Sequence, residues 1–115
     1  MKPQEKENKK MRNVKVRNLI NYNGNIISNQ FNISVDNAVL FQSYTSIVAY
    51  YDRGSQVLTL GLDWDYSITT LKHLYKWIQD NAYHVWELRD GKGSMKSQLQ
   101  RLIDSGIVKY DKGMI

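Results

Sequence analysis

The densest run of chemistry-bearing side chains is Asp63-Trp64-Asp65-Tyr66-Ser67-Ile68-Thr69-Thr70, continuing into Lys72-His73. A calcium loop would take Asp63, Asp65 and Ser67 as its first ligands. Ile68 then stands where such a loop turns on glycine, and Leu74 where it needs a bidentate Glu, so that chemistry is excluded. A carboxylate with His73 near Ser67 would make an acid–base pair. The same residues also start a helix. Ser67 or Thr69 can cap the first N–H groups, Asp65 suits the positive helix end, and Trp64 and Tyr66 can pack against it. Helix initiation is the reading this spacing favours.

Other candidates are thinner. His73 and His84 are the only histidines and the chain has no cysteine, so these two alone do not make a zinc site. Gly91-Lys92-Gly93-Ser94 could hold a phosphate on backbone N–H groups, but it lacks the P-loop spacing and reads better as a loop ending in an N-cap. Arg12, Lys15 and Arg17, with Lys9 and Lys10, could contact phosphates, and Tyr50, Tyr51 or Trp77, if exposed, could stack on bases. The alternative is a solubilising arm followed by an edge strand that Lys and Arg protect from aggregation.

The elements that must position these residues follow from periodicity. From Met11 to Leu62 the apolar period is two: Val14 and Val16, then Ile27, Phe31, Ile33 and Val35, then Val39 and Phe41, Ile47 to Tyr51, and Val57 to Leu62. Asn23-Gly24, Asp36-Asn37 and Asp52-Arg53-Gly54-Ser55 supply turn chemistry between them. After Leu62 the period becomes helical, with Ile68, Leu71, Leu74, Tyr75 and Ile78 on one face and Asn81 as a stop. Tyr83 to Arg89 fits either a strand or a continuation of that helix. A second helix runs from the Ser94 cap through Met95, Leu99, Leu102 and Ile103 to Gly106, and Ile107 to Tyr110 reads as a short terminal strand. The predicted fold is α+β: an antiparallel meander of about five strands with two helices, the second followed by a short strand.

Charge divides the chain differently. The formal +5 sits in the first seventeen residues, where seven Lys or Arg face Glu5 and Glu7; the rest is neutral. Residues 1–10 lack the apolar content to offset ordering entropy and read as a disordered basic arm before a single domain over 11–115. Met11 could serve as an alternative start. The charged N-terminus has no apolar signal region, no run is long enough to span a membrane, and the absence of cysteine suits a reducing cytoplasm.

Arg12-Asn13-Val14-Lys15-Val16-Arg17-Asn18-Leu19-Ile20, Asn29-Gln30-Phe31, Phe41-Gln42-Ser43-Tyr44, Ile47-Val48-Ala49-Tyr50 and Trp64-Asp65-Tyr66-Ser67 with Thr69-Thr70 and Lys72-His73 stand in an order that resembles a small domain of unknown function from phages, plasmids and other mobile elements. The resemblance covers residues 11–80, leaving 81–115 as a carboxy-terminal addition. It carries no enzymatic activity and no catalytic residue. Tyr44, Trp64, Asp65, Tyr66, Ser67 and Thr69 read under it as a strand-end corner and helix cap. The setting it implies is stoichiometric binding to a host protein or ribonucleoprotein in the cytoplasm, with anti-CRISPR inhibition of a Cas effector as the specific form. The expected partner surface joins Arg12, Lys15 and Arg17 to the aromatic region of Trp77, Tyr83 and Trp86. The alternative is a small nucleic-acid-binding protein using its basic arm and first strand. Neither reading calls for a cofactor, a metal or a membrane.

Overall fold

The computed structural model describes residues 13–114, so Arg12 and the predicted arm lie outside the described residues. Five consecutive strands form an antiparallel meander: β1 (Val14–Ile20), β2 (Ile26–Val35), β3 (Ala38–Ser43), β4 (Ser46–Asp52) and β5 (Val57–Leu60). The turns use the residues that chain chemistry predicts. Gly24 takes φ +86° in the first, where the Asn21 side-chain oxygen accepts from the N–H groups of Asn23 and Asn25, each at 2.9 Å. Asp36 adopts φ +53° in the second, and the Asp52 carboxylate accepts from Gly54 N at 2.8 Å in the fourth.

Three helices follow: α1 (Ile68–Asn81), α2 (Tyr83–Glu87) and α3 (Met95–Asp104). β6 (Lys109–Tyr110) then returns to pair in parallel with β5. A parallel return requires a crossover over one face of the sheet, and the helices provide it. Among the described residues no helix is long and apolar enough to cross a membrane. The predicted α+β class, meander and terminal strand are all present. The ambiguous stretch from Tyr83 is a separate short helix. Ala82, at φ −133° and ψ 55°, breaks the path after its N–H closes on Ile78 O.

The core lies between the helices and one sheet face. Val39, Phe41, Val48, Leu58 and Leu60 meet Leu74, Trp77 and Ile78 of α1, with Val85, Leu99 and Val108 completing the cluster. Ile68 is not part of it. It is 80% exposed, and Leu71 is the first apolar side chain of the helical stripe to be buried. The α3 side is tied in by polar contacts. Arg101 grips Asp90 through two nitrogens and donates to Lys92 O, and this guanidinium holds the Asp90 carboxyl at about 2. Ser94 caps α3, accepting from Ser97 N at 3.1 Å, so its hydroxyl serves the helix.

Cross-strand register separates the two sheet faces. Asn32 accepts a 2.7 Å bond from the indole of buried Trp77, so β2 turns Asn32 toward the helices. Its cross-strand partners Arg17 and Phe41 share that face. Val16, Ile33, Leu40 and Tyr50 form a row on the other face. Among the described residues no element covers that row.

Candidate functional site

Ser67, with extended backbone, caps α1: its Oγ accepts from Thr70 N at 3.0 Å and its carbonyl from Leu71 N at 3.0 Å. The N–H groups of Ile68 and Thr69 precede the first intrahelical bonds, and no acidic residue stands in the first turn. Trp64 is 3% exposed and fixes the approach to the helix from below. Asp63 accepts from Ser46 Oγ at 2.9 Å, joining that approach to the start of β4.

Facing this helix end, β2 is bulged. Its register with β1 shifts between Asn18 and Ile20, and Asn29 takes φ +62°. A bulge redirects the side chains beyond it. Tyr44 in the β3–β4 turn is also held left-handed, at φ +54°, by its N–H donating to Asn29 O at 2.7 Å and by Gln42 Nε2 donating to its carbonyl at 2.6 Å. A non-glycine residue in that region costs about 1–2 kcal/mol, and Tyr lacks the short polar side chain that lets Asn offset it.

Between bulge, turn and helix lies a cleft of about 730 Å³. Gln30 forms part of its wall, is 3% exposed, and its Oε1 has no hydrogen-bond partner. Ser43, Tyr44, Tyr66, Ser67, Thr69 and His73 also line it. Burial, with the adjacent Lys72 ammonium second, pushes the His73 imidazole below its ordinary 6.5. The unfolded chain therefore binds this proton more readily. His73 costs no stability above about pH 6.5 and progressively costs stability as pH falls below it. The expected NMR titration midpoint of His73 is below 6.5, and His73→Gln should flatten the acid-side loss of stability; a midpoint at or above 6.5 would contradict this placement. A second cleft of about 750 Å³ continues the first along α1, sharing Ile27, Ser28 and His73 and adding Tyr22, Lys72, Lys76 and Trp86.

The structure thus brings Tyr44, Tyr66, Ser67 and Thr69 to one cleft, with Trp64 beneath. Asp65 is elsewhere, 3.4 Å from Lys96 Nζ. Tyr66 does not pack the helix start as expected; it is 80% exposed at the cleft. The expected partner surface divides. Trp77 is wholly buried, because it lies on the sheet-facing side of α1 and stacks on Phe41 at 6.1 Å, so it cannot meet a partner. Tyr51 is likewise 5% exposed and offers no stacking face. Trp86 is partly buried, covered by the Arg89 guanidinium at 3.5 Å, whereas Tyr83 on α2 is exposed. Lys15 and Arg17 are exposed side by side on edge strand β1. Periodicity alone did not single out Gln30, Ser43 or Ser46 as site residues. The signal for the first two was the Asn29-Gln30-Phe31 and Phe41-Gln42-Ser43-Tyr44 blocks, of which Gln30 and Ser43 are buried against the cleft; Ser46 lies outside both blocks.

No curated protein and no solved structure matches the chain. One family profile does, over residues 14–91, which takes in β1 to α2 and every residue of the cleft. The match covers more than half of the chain, which therefore belongs to the Family of unknown function (DUF8033).

Proposed function

We propose that the protein acts by stoichiometric binding rather than catalysis, as an accessory protein of a phage or other mobile element that docks on a host protein. The specific form is anti-CRISPR inhibition of a Cas effector. The observation that carries binding is the sheet face away from the helices, where an apolar row runs from Val16, 58% exposed, through half-buried Ile33, Leu40 and Tyr50. A contiguous apolar patch of this kind marks a protein-interaction surface. Non-catalytic action is supported by the engagement of both nearby carboxylates: Asp65 is held by Lys96 outside the cleft, and Asp63, which lines it with His73, accepts from Ser46 Oγ. The mobile-element setting rests on the resemblance of the sequence blocks.

The test is DNA cleavage by a host Cas effector with the protein in excess. Cleavage is expected to stop with the parent protein and to return with Ile33→Lys or Leu40→Lys, which place a charge on the open face without entering the core. An unchanged rate for every Cas effector of the host would overturn the anti-CRISPR form. A second reading, direct nucleic-acid binding, is favoured by the adjacent exposed Lys15 and Arg17. Replacing both by Ala should then reduce the slope of log affinity against log salt by about 1–2.

A further inference from the structure

We infer that the cleft beside the first turn of α1 takes one unstacked nucleotide of a single-stranded nucleic acid. The inference stands apart from protein docking, since it uses the opposite side of the sheet. The first observation is Gln30. A buried amide oxygen without a partner is uncommon in a folded protein, because leaving it unpaired costs its full desolvation. Here the amide borders an open cleft at the end of a bulge, where an incoming group can complete its bonding. A primary amide places a donor and an acceptor side by side, the pattern carried by base edges.

The rest of the wall matches the rest of a nucleotide. The Ile68 and Thr69 N–H groups and the Thr69 hydroxyl stand at the positive end of a fourteen-residue helix, which suits a phosphate. Tyr44 and Tyr66 are 64% and 80% exposed at the cleft, providing ring faces on which an unpaired base can stack. Tyr44 is kept there in a left-handed backbone conformation, the kind of local strain that concentrates at ligand sites. Beyond His73 the groove continues to Lys72 and to Tyr22, itself 80% exposed, so a neighbouring nucleotide meets a cation and a further ring.

The other ligand classes use less of this wall. A free anion would use the helix end alone and leave Gln30 and both tyrosine rings without a partner. A neutral sugar could bond Gln30 and the hydroxyls, but would leave the helix end and Lys72 unused. A nucleotide uses the amide, the rings and the helix end together.

The test is fluorescence anisotropy of the full chain with short labelled homopolymers of dA, dC and dT, a labelled duplex, and a maltooligosaccharide competitor. Single strands are expected to bind more tightly than duplex. Gln30→Leu should weaken binding about tenfold, the loss of one amide–base pair, while Tm rises because the unpaired oxygen is gone. Tyr66→Ala should also weaken it about tenfold, by loss of stacking, with Tm unchanged because the ring is exposed. Lys15→Ala with Arg17→Ala should lower affinity for all sequences equally. The inference is overturned if Gln30→Leu lowers Tm and leaves binding intact, which would make Gln30 a structural residue. It is equally overturned if neither Gln30→Leu nor Tyr66→Ala changes single-strand binding, or if the sugar binds and no oligonucleotide does. None of these results depends on the outcome with a Cas effector.

Discussion

Trp77→Ala is expected to cost about 3–5 kcal/mol of stability, measured by urea denaturation, which is most of the margin of an average domain. The indole is fully buried, lies over Phe41, and donates to Asn32 at 2.7 Å. Removing it opens a cavity between α1 and β3 that the surrounding strands cannot close, and leaves the Asn32 oxygen without its donor. Trp77→Phe keeps most of the apolar volume but loses the hydrogen bond, so it should cost about 1–2 kcal/mol. The comparison also decides how a binding defect at this position is to be read. If Trp77 served a partner directly, Trp77→Ala would fold normally and fail to bind. A Trp77→Ala protein within about 1 kcal/mol of the parent would refute its place in the core.

Ending the chain after Gly91 should abolish cooperative folding, although the family match ends at that residue. The removed segment supplies Leu99, Leu102 and Val108, which are 0%, 5% and 1% exposed. At about 1.5–3 kcal/mol for each buried side chain, these three contribute about 5–9 kcal/mol, the size of a whole domain's net stability. The truncation also removes Gln98, which accepts from Tyr75 Oη at 2.8 Å and from Arg89 at 3.2 Å, and it uncovers β5, where Asp111 N donates to Leu60 O at 2.9 Å. Circular dichroism and amide NMR dispersion of the 1–91 fragment provide the measurement. A sharp thermal transition near that of the full chain would refute it. Val108→Asp tests the same contact within the intact chain, since a carboxylate there would lie in the core without a partner.

This second prediction alters the meaning of the carboxy-terminal part. As a sequence it reads as an addition, because residues 81–115 lie beyond the blocks that carry the resemblance. In the fold its apolar stripe completes the core under α1, and the short strand closes the exposed edge of β5. Residue types alone cannot distinguish these cases. An amphipathic helix has the same pattern whether it covers its own domain or another molecule.

Much else was legible because it is local. Alternation marked the five strands, Asn, Asp and Gly residues marked three of the four turns, and Ser67 and Ser94 marked two helix starts, each through a hydrogen bond spanning only three residues. Within the first-turn cluster Ser67 is the cap that the spacing suggests, while Asp65 and Tyr66 lie away from the helix start. The cluster's second role, as one wall of a cleft, depends on Gln30 of β2 and Tyr44 of the β3–β4 turn arriving from far away in sequence. That arrival depends on a bulge at Asn29, where left-handed backbone suits Asn, and on a left-handed Tyr44, which propensity does not favour.

Residue order alone was enough for the five strands, the two longer helices, three of the four turns between strands, the two serine caps and the neutrality of everything beyond the first seventeen residues, because these follow from neighbours along the chain. Which face of the sheet the helices cover emerges from packing alone. Val14, Val16, Ile33 and Val35 alternate as core residues would, yet they lie on the open side, while Arg17 and Asn32 share the helix side. A period of two makes the two faces different without saying which one a crossover will bury. Here the path from β5 through three helices to parallel β6 settled the matter. It buried Trp77, left an apolar sheet face open, and brought Gln30 opposite the first turn of α1.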